Sequence, residues 1–287
     1  MGKKKGSWIA VALTVTAALV VAAFALRGHM GQGQALNANL QTSNTAFYGA
    51  QGFGGGMPTV ANRSVALAMF RTWRWNAPVR VDVFGGSIAA GWVDTKGGYI
   101  SRALRGWARL SHVHVALAHR ADPGMSIMQM SSRFSAVIAQ TRPNWVILSW
   151  GGLNDAVDHT SVSAFQQALR AEIQTALKGG AQFVWVVTPP VTAAAAINGP
   201  KATPDLYFEA EQSVAASLHD PRVAMCPVYS QMMSWLQQHG QSYQPYQANG
   251  WHPNAKGHAL AGQLLLQDME FLLPPLQVKK EVSARRV

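Results

Sequence analysis

The sequence is poor in acids, in charge of either sign and in cysteine. Only 13 of its 287 residues are Asp or Glu, and charged residues make up 13%. Its one cysteine, Cys226, excludes an internal disulfide and a cysteine-built metal cluster. It closes the run Val223-Ala224-Met225-Cys226, which reads as a buried strand with the thiol as a small core group. The formal charge of +11 is concentrated at the ends, in Lys3, Lys4, Lys5, Arg27, Lys279, Lys280, Arg285 and Arg286. Setting these and Glu281 aside leaves 16 bases against 12 acids, about +4. No basic stripe with interleaved aromatics occurs, which excludes a nucleic-acid-binding face. His112, His114 and His119 lack the spacing and the evident acidic partner of a metal site, so none is expected, and no cofactor is implied. Internal repeats are also lacking.

Charge is absent in one long run. Ser7 to Leu26 carries none, between the Lys3–Lys5 cluster and Arg27. Ile9 to Leu26 is long enough to cross a bilayer, and the lysines in front place the N-terminus inside and the rest outside. Ala23-Phe24-Ala25 resembles a small-x-small cleavage site. Residues 1–27 are therefore a signal peptide or a membrane anchor, and the expected location is extracytoplasmic. Residues 28–57 are rich in Gly, Gln and Asn and carry no Asp, Glu, Lys or Arg. Such a stretch builds no core and reads as a flexible linker. A domain over 58–275 follows, then a basic tail over 276–287.

Within the domain, strand and helix patterns alternate. A first helix around Val65–Trp73 precedes five strand patterns: Val79–Phe84, His112–Leu117, Trp145–Trp150, Phe183–Val187 and Val223–Val228. Helical patterns lie at Tyr99–Leu110, Ser126–Gln140, Ser161–Leu177, Leu206–Leu218 and Asn254–Leu273. This alternation predicts an α/β fold with a parallel sheet covered on both faces.

In such a sheet the loops after neighbouring strands converge. The first strand ends in Gly85-Gly86-Ser87 and is expected to break into a helix beside the serine. The glycines fit neither nucleotide-binding fingerprint. Ala121-Asp122-Pro123-Gly124, Gly151-Gly152-Leu153-Asn154-Asp155 and Asn249-Gly250-Trp251-His252 follow later strands. A serine needs a base to act as a nucleophile, and His252 can supply one. The amides of Ser87 and Gly124 and the side chain of Asn154 can serve as neutral donors to an oxyanion. Asp155 is expected to cap a turn, and Lys256 and His258 to be exposed in the first turn of the last helix.

Gly86-Ser87, Gly124, Gly152-Leu153-Asn154-Asp155 and Asn249-Gly250-Trp251-His252 resemble, in order and spacing, the four blocks of the SGNH (GDSL-like) hydrolases. The ending His252-Pro253-Asn254, with Gly257-His258, strengthens the likeness. The resemblance implies a flavodoxin-like, three-layer α/β/α fold with a five-stranded parallel sheet. It implies Ser87 as nucleophile and His252 as base, with Ser87, Gly124 and Asn154 forming the oxyanion hole. The implied activity is ester hydrolysis through an acyl-serine.

Two positions depart from the family pattern. Gly86 stands where Asp is usual before the serine. Asn249 stands where Asp usually orients the histidine. An Asp-to-Asn change at the orienting position of a serine protease costs roughly 10⁴-fold, yet Asn fills it in Cys-His-Asn enzymes. Asn249 is thus the third catalytic candidate. Trp92, Trp150 and Trp251 adjoin the blocks and are candidate substrate contacts, since an indole face suits sugars and acyl chains alike. The expected partner is a small ester or an acylated glycan, such as an O-acetyl sugar. Carbohydrate O-acyl transfer and a weakened binding module remain the alternatives.

Overall fold

The structure is a computed structural model that describes residues 56–72, 78–196 and 203–274. The expected signal peptide or anchor, almost all of the linker, Trp73 and the basic tail lie outside the described residues. Among the described residues no helix is long and apolar enough to cross a membrane.

In chain order the elements are β1 (Thr59–Val60), α1 (Arg63–Thr72), β2 (Val79–Gly85), α2 (Gly98–Leu110), β3 (Val115–His119) and α3 (Ile127–Thr141). They continue with β4 (Trp145–Ser149), α4 (Leu153–Val157), α5 (Val162–Lys178), β5 (Phe183–Val187) and α6 (Ala193–Ala196). The last are α7 (Thr203–Ser217), β6 (Val223–Cys226), α8 (Val228–Gln238), a 3₁₀ turn at Gln244–Tyr246 and α9 (Ala255–Leu272).

The sheet has six strands in the order β1-β6-β5-β4-β2-β3. Five are parallel, as expected. The sixth is β1, which pairs antiparallel with β6 through Thr59↔Met225 and Val60↔Ala224. Two residues give no periodicity to read, so the sequence did not disclose this strand. β4 and β5 are buried throughout, which fits their unbroken apolar runs. β3 mixes partly buried and exposed residues, none of them fully buried, as befits an edge. It also starts three residues later than expected. His112 and Val113 close α2 instead: His112 takes φ +53°, and the Val113 N–H bonds the Ala108 carbonyl at 2.9 Å.

Successive strand residues face opposite sides, and each side has its own core. Val146, Leu148, Val184 and Val186 meet Phe134, Phe165, Ile173 and Tyr207 from α3, α5 and α7. On the other side Trp145 packs against Trp107 of α2 and against its strand neighbour Trp185, ring centroids 4.7 and 5.1 Å apart. Cys226 is fully buried and free, as the sequence suggested.

The strand order reverses between β2 and β4, which are hydrogen-bonded neighbours with their helices on opposite faces. At such a switch point the loops at the carboxyl ends of the strands part and leave a crevice. Ser87 follows β2 and Asn154 follows β4, so both stand at that crevice.

Candidate active site

β2 delivers Ser87, but no helix follows it directly. Residues 87–97 form a succession of turns, and α2 starts only at Gly98. The expected strand–helix break is therefore a strand–turn break, with one α-type bond from the Ala90 N–H to the Gly86 carbonyl at 3.0 Å. Three glycines, Gly91, Gly97 and Gly98, take positive φ here and interrupt the helical pattern. Asp94 holds the turns together. It accepts from the Lys96 and Gly98 N–H groups and bidentately from Arg102, at 2.7 and 2.8 Å. The Arg102 guanidinium holds the Asp94 carboxyl down at about 2.

His252 arrives from the loop before α9. Its Nε2 lies 2.9 Å from Ser87 Oγ, and its Nδ1 lies 3.1 Å from Asn249 Oδ1. The amide orientation of Asn249 follows from its other partners. The N–H groups of Trp251 and His252 both point at Oδ1 at 2.9 Å, so the oxygen faces them. His252 Nδ1 must then carry a proton, which leaves the Nε2 lone pair for the serine hydroxyl. That is the tautomer a general base needs. Partial burial lowers the pKa of His252.

Two further loops complete the site. Gly124 follows β3 with φ +78°. Asn154, in the first turn of α4, donates from Nδ2 to the Met125 carbonyl at 2.7 Å, which leaves its second N–H free. Among the described residues neither the Ser87 nor the Gly124 amide donates to a partner. Asp155 is a cap in a long-range sense. Its buried carboxyl accepts the Ile127 N–H at 3.2 Å, tying α4 to the start of α3. Burial raises its pKa to about 6.

Ser87, Gly124, Asn154 and His252 all line one cavity of about 360 Å³. Trp92, Trp150 and Trp251 line it as well. Trp150 is 5% exposed and forms part of its wall, whereas Trp92 and Trp251 are 51% and 50% exposed and stand at its mouth. Among the described residues no Asp, Glu, Lys or Arg lines the cavity. The cavity thus joins a base-paired hydroxyl, unspent N–H donors and apolar walls, the requirements of acyl transfer.

His258 departs from expectation, being fully buried rather than exposed. Its Nδ1 accepts the Tyr99 N–H at 3.2 Å, so its proton sits on Nε2 and points to the Trp92 carbonyl at 3.2 Å. It thereby ties α9 to the turns that carry Trp92. Sequence reasoning also passed over Glu172 and Glu211, which are buried behind Trp150 and Gly151. A signal was present: each is an acid on the apolar stripe of its helix.

The chain is similar in fold to several solved structures. It covers 99% of TesA at 21% identity and TM-score 0.53, with 68% of its own length matched. It covers 98% of a lipase/acylhydrolase from Enterococcus faecalis at 22% identity and TM-score 0.54, with 69% matched. A catalytic mutant of Axe2, an acetylxylan esterase from Geobacillus stearothermophilus, is 96% covered at 13% identity and TM-score 0.56, with 68% matched. No curated protein matches it in sequence. Residues 83–260 match the family described as GDSL-like Lipase/Acylhydrolase, a span that holds all four blocks. The chain belongs to the GDSL-like lipase/acylhydrolase (SGNH) family and is an esterase/acylhydrolase.

Proposed function

We propose that this protein is an exported serine esterase that removes short acyl groups, O-acetyl above all, from a glycan. The observation that carries the reading is the chain Ser87 Oγ–His252 Nε2, His252 Nδ1–Asn249 Oδ1. Ser87 is the nucleophile, His252 takes its proton, and Asn249 orients the imidazole. The hydroxyl oxygen attacks the ester carbonyl, and the resulting oxyanion is met by the Ser87 and Gly124 amides and by Asn154. The imidazolium then returns its proton to the leaving alcohol. Water attacks the acyl-serine by the same route. Neutral cavity walls favour a neutral ester, and the half-exposed Trp92 and Trp251 offer faces for sugar rings. The acetylxylan esterase among the structural relatives supports the same substrate class. Export rests on the uncharged run 7–26 behind its lysines.

The test is a p-nitrophenyl acetate assay with fluorophosphonate labelling. A burst of one acyl group per chain and labelling of Ser87 are expected, both lost in Ser87→Ala. Turnover that survives Ser87→Ala would overturn the mechanism. The half-exposed indoles at the mouth also favour a second reading, acyl transfer to a sugar hydroxyl. In that case added acceptor sugar diverts product from acetate to acetylated sugar.

A further inference from the structure

Glu211 has no part in the chemistry above, yet it is fully buried on α7 one turn after Tyr207. Its Oε1 accepts the Gly151 N–H at 3.1 Å, while Oε2 has no partner among the described residues. Gly151 and Gly152 take φ +64° and +66°, a double left-handed turn that ends β4. The Ala156 N–H bonds the Gly152 carbonyl at 2.8 Å, so the first turn of α4 is built directly on this turn. Asn154 lies in that first turn. Tyr207, one turn earlier on the same helix, holds the same segment. Its ring lies where a side chain at Gly152 would project, 2.2 Å from a Cβ placed there. Its hydroxyl donates to the Thr160 carbonyl beyond α4. One face of α7 therefore clamps the segment from Gly151 to Thr160, with the carboxyl of Glu211 as the polar contact at its start and the Tyr207 hydroxyl as that at its end.

A second acid grips the preceding residue. Glu172 on α5 accepts the Trp150 Nε1–H at 2.8 Å. Trp150 belongs to the cavity wall, whereas Gly151 leads to Asn154, so the two acids serve different sides of the site.

We propose that Glu211 is a positioning residue for Asn154, fixing through the Gly151 N–H the double left-handed turn from which that side chain projects. The inference rests on the reading of Asn154 as an oxyanion donor. A buried N–H without a partner is costly, so loss of the acceptor would rotate the Gly151 peptide and carry α4 with it. Asn154 Nδ2 would then leave its place between the Met125 carbonyl and the cavity. Burial keeps the Glu211 carboxyl protonated up to about 8, so a glutamine side chain reproduces its shape, charge and acceptor.

The experiment is steady-state kinetics of Glu211→Gln, Glu211→Met and Glu211→Asp, alone and combined with Asn154→Ala, with active sites counted by fluorophosphonate. Glu211→Gln should keep kcat within about 3-fold. The Met variant lacks the acceptor and the Asp variant withdraws it. Both should lose on the order of 10- to 100-fold in kcat, with KM changed by less than about 3-fold, as for a misplaced transition-state donor. Over Asn154→Ala these same changes should cost nothing further, because residues acting as one unit are not additive. If the Met variant fails to fold, the Asp variant carries the test alone. A folded Asp or Met variant with the parent's kcat, a loss additive with Asn154→Ala, or a Gln variant as impaired as Met would overturn the proposal. An Asn154→Ala enzyme with undiminished kcat would overturn the oxyanion reading itself, and the positioning role with it.

Discussion

Asn249 holds His252 with an amide oxygen where the family pattern has a carboxylate. That oxygen already accepts three N–H groups, two of them from the backbone. A carboxylate in the same place would keep all three bonds and set a second oxygen where Nδ2 now stands. Asn249 is exposed, so that oxygen would be solvated. The Asn249→Asp protein should therefore fold as the parent does. Its effect on His252 has a definite sign. Burial lowers the histidine's pKa in the parent, and a nearby negative charge would raise it by favouring imidazolium. The acidic limb of kcat/KM should lie below the ordinary histidine value of about 6.5 in the parent and move up in the variant. The maximal rate should rise, since the imidazolium formed in the reaction gains a counter-charge. Parallel pH–rate profiles decide this, and coincident acidic limbs would remove Asn249 from the site. The second departure, Gly86, has a steric counterpart. A Cβ there would lie 2.5 Å from Asn154 Nδ2, so in this chain the glycine gives Asn154 its room.

Helix α9 shows how an element presents a reactive group that it does not itself contain. Asn254, two residues after His252, caps α9 by accepting the Lys256 and Gly257 N–H groups at 2.9 and 3.0 Å. Its Nδ2 donates to the Pro245 and Gln247 carbonyls, at 3.0 and 3.2 Å. One side chain thus joins the helix start to the N-terminal end of the loop that carries Asn249 and His252. Asn254→Ala should cost about 2 kcal/mol, roughly 1 for the cap and 1 for the loop bonds. Thermal unfolding should then start about 5 °C lower, with kcat also reduced because His252 is less well held. An unchanged melting temperature would show that the loop is secured elsewhere. His-Pro-Asn was legible in the sequence as part of a motif, but its division of labour was not, because capping bonds depend on chain reversals that spacing alone does not fix. The same holds for the other elements. Phe183–Val187 was readable to the residue, since an unbroken β-branched and aromatic run bounded by turn residues has one interpretation. The His112–Leu117 alternation misled at its start, because His112 and Val113 belong to the close of α2. The helix expected after Ser87 failed to form because Gly91 and Gly97 take left-handed backbone angles that a right-handed helix does not allow. Ser87, Gly124 and Asn154 could be singled out because each follows a strand end, and His252 because it closes the last block of the resemblance, just before α9. The supporting acids were passed over, although an acid on the apolar stripe of a helix was the signal that marks them.

At the scale of the molecule, nearly half of the scarce acids are spent inside. Six of the 13, Asp82, Asp94, Asp155, Glu172, Glu211 and Asp268, are buried among the described residues. This distribution fixes how stability depends on pH. Burial holds the proton on Asp268 up to about 7 and on Glu211 up to about 8, and raises Glu172 well above the ordinary range. In the unfolded chain such carboxyls titrate near 4. Between those values the folded state binds more protons, so their contribution to stability is lost as pH rises. The histidines act in the opposite sense but elsewhere. His119, His252 and His258 have pKa values lowered by burial, so they withdraw stability only as pH falls below about 6.5. Asp94 and Asp220, held down by Arg102 and Arg222, contribute throughout and lose that contribution only below about pH 4. The interval from pH 6.5 to 8.5 therefore isolates the buried carboxyls. Over it the protein should lose on the order of 2 kcal/mol, or about 5 °C in melting temperature. Asp268 accepts from Gln231 Nε2 at 2.7 Å, between α9 and α8 and away from the residues that line the cavity. An amide there can keep that bond and has no proton to lose, so Asp268→Asn should make the decline shallower. Melts of both proteins at pH 6.5, 7.5 and 8.5 measure this. A parent that gains stability toward pH 8.5, or a variant with the parent's slope, would mean that Asp268 is already ionised in the folded protein.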